Sequence, residues 1–241
     1  MTQVLIAGAN GAIGSALASR VLGHHADARV IGLCRTPEAF GSGDRCESVA
    51  WNAETDFHDD IAARVDDVVG DSGLDTVIYA AGLLHDPSLF PEKRLEDLNA
   101  DAMVRAFTVN CVGFGTLMKA LMPHLRHRRF KRIVALSAKV GSIEDNGFGG
   151  WYAYRCSKAA VNMLVRNLSV ELPRRCKPVS CIALHPGTTR SPLSEPFQQS
   201  LSRLRVHSPD ETAGNLWRVI DGLKEEDNGS FYSWDGSRLP W

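Results

Sequence analysis

The chain has 241 residues, which is enough for one large domain with a single core, and we expect residues 1–241 to form one domain. Its 28 acidic and 27 basic residues nearly cancel, so the charge gives no reason to expect a nucleic-acid partner. No stretch of eighteen apolar residues occurs, which argues against a membrane span. The six cysteines include no C-x-x-C pair, and a reducing cytoplasm is the expected location.

Short runs rich in Val and Ile alternate with helical patterns along the chain. The runs lack polar alternation, which is typical of strands buried on both faces. The repeated order of strand and helix predicts an α/β fold of Rossmann type, a doubly wound parallel sheet with helices on both faces. Strands are predicted at 3–7, 29–34, 75–80, 132–137 and 179–184, and helices at 12–23, 57–70, 96–126, 152–172 and 210–223.

Two other sequence patterns bear on possible binding sites, a basic run and the histidines. The run HLRHRRFKR at 124–132 is the one dense basic patch of the sequence. It falls at a predicted helix C-terminus, where cations are favoured, so we interpret it as a solvated helix end rather than a nucleic-acid site. The eight histidines show neither H-E-x-x-H nor Cys/His ligand spacing, and no metal site is predicted.

A glycine-rich loop, AGANGAIGSALA, joins the first predicted strand to the first helix. A phosphate that approaches the backbone N–H groups there needs residues without obstructing side chains, and the helix N-terminus adds a favourable field. The position between strand and helix favours dinucleotide binding over a simple tight turn. The residues expected to contact the cofactor are Gly8, Asn10, Gly11, Ala12, Ile13 and Gly14.

The end of the second predicted strand decides which nicotinamide cofactor is expected. An acidic side chain there would accept a ribose 2′-hydroxyl, whereas an arginine would pair with a 2′-phosphate. The sequence has Cys34 followed by Arg35 and Thr36, with no acid. We therefore predict NADP, with NAD possible; the alternatives are a surface arginine, or uncharged contacts from Thr36 or Asn10.

Tyr154 and Lys158 lie four residues apart at the start of the fourth predicted helix, so they share one face of it. Free tyrosine titrates near 10, and lowering its pKa to about 7 takes roughly 4 kcal/mol. A cation about 4 Å away supplies about that much at an effective dielectric constant near 20. The spacing therefore predicts that Lys158 activates Tyr154 as an acid, whereas Tyr152 would face elsewhere on the helix.

These features occur in one order with VNCVG, which contains Asn110, with ALSAKVGS, and with Pro186-Gly187. The constellation resembles the short-chain dehydrogenase/reductase family over nearly the whole chain. Further stretches are similar to its C-factor-like branch, namely AAGLLHD (80–86), PEKRLE (91–96), VGSIEDNGFGGWYAYRCSKAAVN (140–162), ALHPGT (183–188) and WDGSRLPW (234–241). The resemblance implies a seven-stranded parallel sheet, a bound NAD(P) and an oxidoreductase acting on a carbonyl or alcohol.

The resemblance also implies roles for individual residues. Lys158 would hold the nicotinamide ribose as well as acting on Tyr154, and Asn110 would hold a water beside the lysine. Asn52 stands where the family has an acid and could accept the adenine amino group. The remaining residues implied at the cofactor are Ala80, Ala81, Gly82, Pro186, Gly187 and Thr189.

One expected catalytic residue is missing. The substrate-orienting serine of the family is the second of a Ser-Ser pair, and here the pair reads Ser137-Ala138. Ser137 or Ser142 must then supply the hydroxyl, or none does, and we favour Ser137 slightly.

The substrate and the assembly are less defined by the sequence. We expect a small-molecule carbonyl or alcohol bound by variable residues near 142–150 and 188–205, and His85 and Asp86 either rim that pocket or have no role in it. A nucleotide-binding signalling protein with little turnover is the alternative function. We also expect a homodimer or homotetramer, because the helices 96–126 and 152–172 carry surplus apolar residues, namely Met103, Phe107, Phe114, Met118, Met163 and Val170.

Overall fold

The computed structural model describes residues 2–40, 43–57, 60–197 and 205–241. Its strands are β1 (Thr2–Ala7), β2 (Ala28–Cys34), β3 (Cys46–Ala50), β4 (Thr76–Tyr79), β5 (Lys131–Leu136), β6 (Val179–His185), β7 (Thr188–Thr189), β8 (Val206–His207) and β9 (Phe231–Ser233). Seven of them form a parallel sheet in the order β3-β2-β1-β4-β5-β6-β9, and β7 pairs with β8 separately. This topology confirms the predicted doubly wound sheet of about seven strands.

Helices cover both faces of the sheet: α1 (Ala12–His24), α2 (Asp60–Val69), α3 (Ala100–Phe107), α4 (Gly113–Leu121), α5 (Tyr152–Cys176) and α6 (Pro209–Asp221). Alternate residues of β1 point to opposite faces, so Leu5 belongs to the core cluster beneath α2, α4 and α5, and Ile6 to the cluster beneath α1 and α6. None of the described helices is long and apolar enough to cross a membrane.

Two strands of the sheet, β3 and β9, were missed by the sequence analysis. Both lie at edges of the sheet. In β3 only Val49 is buried, and β9 has three residues, so neither presents the apolar run that marks the interior strands. Edge strands bury less side-chain surface, and their sequences therefore carry a weaker signal.

The predicted helix 96–126 is wrong as a single helix. It begins at Ala100, where the Asn99 side chain accepts a hydrogen bond from Ala102 N at 2.9 Å, and it is interrupted by a π-helical turn at Thr108–Val112. Such turns insert one residue and commonly mark functional sites. Asn110 lies in this turn.

The helix predicted at 152–172 extends to Cys176, past a proline inside it. Pro173 has no N–H to donate to the carbonyl of Ser169, which would leave that oxygen unpaired. The side chain of Asn228 donates to it instead, at 2.7 Å. A partner from a distant loop thus stabilises the helix beyond the point where the sequence predicts its end.

The basic run at 124–132 is not a solvated helix end. Lys131 is fully buried as the first residue of β5, and its Nζ donates to the His127 carbonyl at 2.6 Å. Arg129 is paired with Asp75 at 2.5 Å. Two of the basic side chains of this run are therefore paired within the protein around the start of β5.

Candidate active site

A cavity of about 510 Å³ lies at the carboxyl ends of the strands. The chain leaves the central strand β1 towards β2 and later returns to its other side at β4, which is where doubly wound sheets bind ligands. A larger surface depression of about 820 Å³ beside α1 and α6 shares no lining residue with it. The predicted site residues that line the cavity are Gly8, Asn10, Gly11, Ala12, Ile13, Gly14, Arg35, Asn52, Ala80, Ala81, Gly82, Ser137, Tyr154, Lys158 and Pro186.

The glycine loop forms the entrance to α1. Gly11 is the N-cap residue, and within the described chain no side chain caps the helix by a hydrogen bond. The first turn contains no acidic residue, and its residues Ala12 to Gly14 line the cavity. The N–H groups of a helix N-terminus have no intrahelical partners, so this end of the cavity suits an anion such as a pyrophosphate.

Two of the glycines are required by close packing of the loop itself. A Cβ at Gly14 would lie 2.3 Å from the carbonyl oxygen of Gly8. Gly8 has a φ of +85°, and a Cβ there would lie 2.7 Å from Ala81 N. The glycine spacing therefore lets the loop pack closely against the end of β4, with the first turn of α1 at the cavity.

Arg35 and Thr36 follow β2 and are both exposed at the cavity wall. Asn10 donates from Nδ2 to the Thr36 carbonyl at 2.6 Å and to its hydroxyl at 3.0 Å, which ties the glycine loop to this segment. Asn52, on the neighbouring wall, accepts a hydrogen bond from Glu54 N at 3.0 Å. Arg35 is therefore the cationic side chain beside the glycine loop in the described lining.

Tyr154 and Lys158 meet at the opposite end of the cavity, on the first turns of α5. Lys158 is 4% exposed, its Nζ donates to the carbonyl of Leu136 at 2.9 Å, and it lies 5.7 Å from the centroid of the Tyr154 ring. Burial lowers the pKa of Lys158 to about 8 from its ordinary 10.5. The two side chains share one wall of the cavity, as their spacing predicts, whereas the action of Lys158 on the Tyr154 hydroxyl stays a prediction.

The predicted electrostatics of Tyr154 differ from those of the structure. Burial raises the pKa of the Tyr154 phenol above its ordinary value of 10.0 rather than lowering it. Tyr154 and Lys158 lie in a part of the cavity wall that is shielded from water, and this loss of hydration destabilises the charged phenolate. The calculation from a cation at 4 Å omitted this cost, so the phenol of the free protein is protonated at neutral pH.

Asn110 is fully buried and holds the chain that follows β4. Its Oδ1 accepts from Leu83 N at 2.8 Å, and its Nδ2 donates to the Leu83 carbonyl and to the Ser157 hydroxyl, both at 2.9 Å. A Cβ at Gly82 would lie 3.4 Å from Asn110 Oδ1 and 3.7 Å from Lys158 Nζ, so these two side chains converge there. That Asn110 holds a water beside Lys158 stays a prediction.

Of the two candidate serines, Ser137 lies at the cavity and Ser142 does not line it. Ser137 is buried, and its hydroxyl donates to Asn162 Oδ1 at 2.6 Å. The hydroxyl of Ser142 donates to the carbonyl of Trp241 at 3.1 Å. The structure therefore favours Ser137, although its hydroxyl proton is already engaged.

Three of the residues predicted at the cofactor do not line the cavity, namely Asn110, Gly187 and Thr189. Gly187 has a φ of +75°, and a Cβ there would lie 2.8 Å from the Trp234 ring. The hydroxyl of the buried Thr189 lies 2.8 Å from that of Thr212 on α6. Gly187 and Thr189 shape the chain after β6.

An ion-pair bridge across the cavity wall was missed by the sequence analysis. Arg105 of α3 donates to Glu54, which follows β3, and to Asp86, which follows β4, and all three line the cavity. Although burial opposes it, hydrogen bonds from Ser88 and Arg105 lower the pKa of Asp86 to about 2. The three positions are far apart in sequence and fit no motif, so only the fold shows the bridge. It gives Asp86 a structural role that the sequence left open.

Comparison with known proteins agrees with this geometry. A sequence model of the family described as short chain dehydrogenase matches residues 2–202. The chain belongs to this family. The resemblance to its C-factor-like branch is also confirmed, because C-signal of Myxococcus xanthus is 37% identical over 147 residues, which are 61% of this chain and 83% of C-signal.

Other relatives place this short-chain dehydrogenase among oxidoreductases. A 1-hydroxy-2-glutathionyl-2-methyl-3-butene dehydrogenase of Rhodococcus is 32% identical over 70% of this chain and 69% of its own length. An uncharacterized oxidoreductase of Schizosaccharomyces pombe is 31% identical over 56% of each chain.

Solved structures of other proteins are similar to this fold over the whole chain. The carbonyl reductase Sniffer of D. melanogaster has a TM-score of 0.85 at 25% identity and is fully covered. An NADPH-bound carbonyl reductase from chicken fatty liver has the same score and identity, with 94% of its chain covered. Nicotinamide-dependent oxidoreduction is therefore the general activity of the family to which the chain belongs.

Proposed function

We propose that this short-chain dehydrogenase is an NADPH-dependent oxidoreductase that reduces a carbonyl compound or oxidises the corresponding alcohol. The observation that carries the proposal is that one cavity is lined both by the helix N-terminus after the glycine loop and by the half-buried Tyr154 with the buried Lys158. The helix N-terminus can bind the anionic pyrophosphate of a dinucleotide, and the Tyr154–Lys158 pair can transfer a proton.

The described residues fit a nicotinamide dinucleotide. The amides of Ala12 to Gly14, in the first turn of α1, would hold the pyrophosphate, Arg35 would pair with a 2′-phosphate, and Lys158 would hold the nicotinamide ribose. The NADPH bound by the chicken carbonyl reductase supports the choice of NADP over NAD. The cofactor, when bound, supplies the hydride and is itself oxidised.

The protein's own part in the reduction is to deliver and balance a proton. The Tyr154 hydroxyl donates its proton to the carbonyl oxygen as the carbonyl carbon gains the hydride, so the C=O bond becomes an alcohol. The positive charge of Lys158 stabilises the resulting phenolate, which is costly in this buried wall. Asn110 keeps the backbone at Leu83 in place beside the lysine.

Initial rates of NADPH oxidation with a panel of ketones and aldehydes test this proposal. We expect turnover of at least one carbonyl and slower turnover with NADH. Tight NADPH binding without turnover of any carbonyl, and without NADP⁺ reduction by the matching alcohols, would reject it.

The alternative of a signalling protein with little turnover rests on the likeness to C-signal. It is the weaker proposal, because a binding-only protein has no need of a buried lysine directed at a tyrosine within the nucleotide cavity. The relatives described as dehydrogenases and reductases also favour the enzyme.

We also propose that α3 and α5 form a contact between subunits. Val104, Met163 and Val170 are 65%, 62% and 52% exposed on these helices, whereas Phe114 and Met118 are core residues and were wrongly counted as surplus. Light scattering at micromolar concentrations should show a dimer or tetramer that Met163→Glu dissociates, and a monomeric wild type would contradict the proposal.

A further inference from the structure

Next to Tyr154, four aromatic rings from three separate segments of the chain contact one another in a row. Trp151 lies edge-on to Tyr154 with ring centroids 6.3 Å apart, and Phe197 packs on Trp151 at 5.0 Å. Phe197 also contacts Phe90 at 5.3 Å and His85 at 5.6 Å. We call His85, Phe90, Trp151 and Phe197 the aromatic row.

The aromatic row meets the cavity at His85, and at its other end Trp151 contacts Tyr154. Tyr154 and His85 both line the cavity. Nε2 of His85 lies 3.1 Å from the carbonyls of Pro192 and Leu193, which also line it. Because carbonyls only accept hydrogen bonds, Nε2 is the protonated nitrogen, and the ring is fixed against this loop.

Trp151 is held in an unusual backbone conformation. Its φ of 51° and ψ of 43° are left-handed, and it is the one non-glycine residue with positive φ in the described chain. Bulky residues adopt this conformation only when their surroundings enforce it, and such strain is concentrated at functional sites.

The buried Glu92 enforces this conformation. Its carbonyl accepts the N–H of Trp151 at 2.6 Å, and its carboxylate lies 3.3 Å from the N–H of Ala153 in the first turn of α5. A carboxylate at a helix N-terminus is favoured by the helix dipole. Glu92 therefore fixes the backbone of Trp151 and the helix turn that carries Tyr154 relative to each other.

The rings of the aromatic row differ in exposure. Phe197 is 7% exposed and supports the other rings, whereas Phe90 is 56% exposed although it contacts two of them. An exposed apolar ring that packs on the buried Phe197 and on His85, which lines the cavity, is suited to contact an apolar ligand.

We propose that the aromatic row binds the flat apolar ring of an aromatic ketone or aldehyde and so directs its carbonyl to Tyr154. This proposal rests on the proposed function and names its substrate class. Aromatic rings attract one another in edge-on and offset geometries at centroid separations of about 4.5–7 Å, and a puckered saturated ring of the same size cannot reproduce those contacts. A planar substrate should therefore bind better than a saturated one of equal size.

The test compares acetophenone with cyclohexyl methyl ketone, which differ chiefly in the flatness of the ring. Their dissociation constants are measured by calorimetry on the protein saturated with NADP⁺, where no hydride is available for reduction. We expect acetophenone to bind about 3- to 10-fold more tightly, and Phe90→Leu to remove most of that preference. Phe148→Leu is the matched control, because Phe148 is 95% exposed and lies outside the aromatic row.

Equal binding of the two ketones, or no measurable binding of either, would overturn the proposal. So would an unchanged preference in both Phe90→Leu and Phe197→Leu, and Phe90→Leu is informative even if the more buried Phe197→Leu fails to fold. Because these are binding measurements, they are independent of turnover with NADPH. A protein that reduces aliphatic aldehydes but fails this test retains the proposed function and loses only the aromatic substrate class.

Discussion

The two ends of the cavity are built by different means. The cofactor end consists mostly of backbone groups that directly follow the central strands, such as the amides of the glycine loop. The other end, where we propose that the substrate binds, is lined by side chains from segments that are distant in sequence, including His85, Ser137 and Tyr154. The first construction depends on glycines and strand order, and the second on which large side chains the loops present.

This difference separates what is general from what is specific. Backbone amides at a helix N-terminus bind a pyrophosphate without reading the rest of the ligand, so one loop can serve a whole family. Side-chain walls recognise shape, and they can change without disturbing the sheet. Binding and turnover should therefore respond to mutations at opposite ends of the cavity.

The largest effect is expected from Tyr154→Phe at the substrate end. Loss of the proton donor should reduce kcat by about 10²- to 10⁴-fold while the NADPH dissociation constant changes little, because the glycine loop and Arg35 are untouched. Steady-state rates and a binding titration measure the two quantities. Tyr152→Phe on the same helix is the control, and a larger loss there than at Tyr154 would show that the proton donor has been misassigned.

Arg35→Ala should give the converse result at the cofactor end. Removing a charge-assisted contact to a 2′-phosphate should weaken NADPH binding by about 1–3 kcal/mol, which is about 5- to 150-fold, and leave NADH binding unchanged. The value of kcat at saturating NADPH should remain near that of the wild type. Equal affinities for the two cofactors in the wild type would contradict the predicted preference.

Gly14→Ala tests whether the cofactor end depends on close backbone packing. The added Cβ would meet the Gly8 carbonyl oxygen at 2.3 Å, so the loop must shift, at an expected cost of about 1–3 kcal/mol in the free energy of unfolding. Chemical denaturation measures the loss, and NADPH binding should weaken with it.

Gly23→Ala is the matched control in the same helix, because a Cβ there meets no atom within 4 Å. It should leave stability unchanged or raise it by up to about 1 kcal/mol. If both variants had the same stability, close packing would not explain the glycine at position 14.

The same contrast explains how much the sequence could predict. The interior strands, the glycine loop and the Tyr154–Lys158 spacing are local patterns, and the structure has all of them. The edge strands bury too little surface to be recognised, and the π-helical turn at Asn110 depends on tertiary contacts such as the Tyr79 hydroxyl, which donates to the Val109 carbonyl at 2.5 Å.

The Arg105 bridge and the aromatic row join segments that only the folded chain brings together. The raised pKa of Tyr154 was missed because spacing gives the distance to a charge but not the burial.

We propose that Lys158 acts at both ends of the cavity, on the nicotinamide ribose and on Tyr154. Of the changes predicted here, the loss of its proton should alter the reaction rate least near neutral pH. Burial lowers its pKa to about 8, so the ammonium is charged below that pH and loses its proton above it. If the charge assists catalysis, kcat/KM for NADPH, which reports the free enzyme, should be flat below about pH 7, halved near pH 8 and then fall about tenfold per pH unit. The Tyr152→Phe variant should follow the same curve. A profile that stays flat to pH 10 would show that the charge of Lys158 is not required, and the lysine would then act at the cofactor end through its position alone.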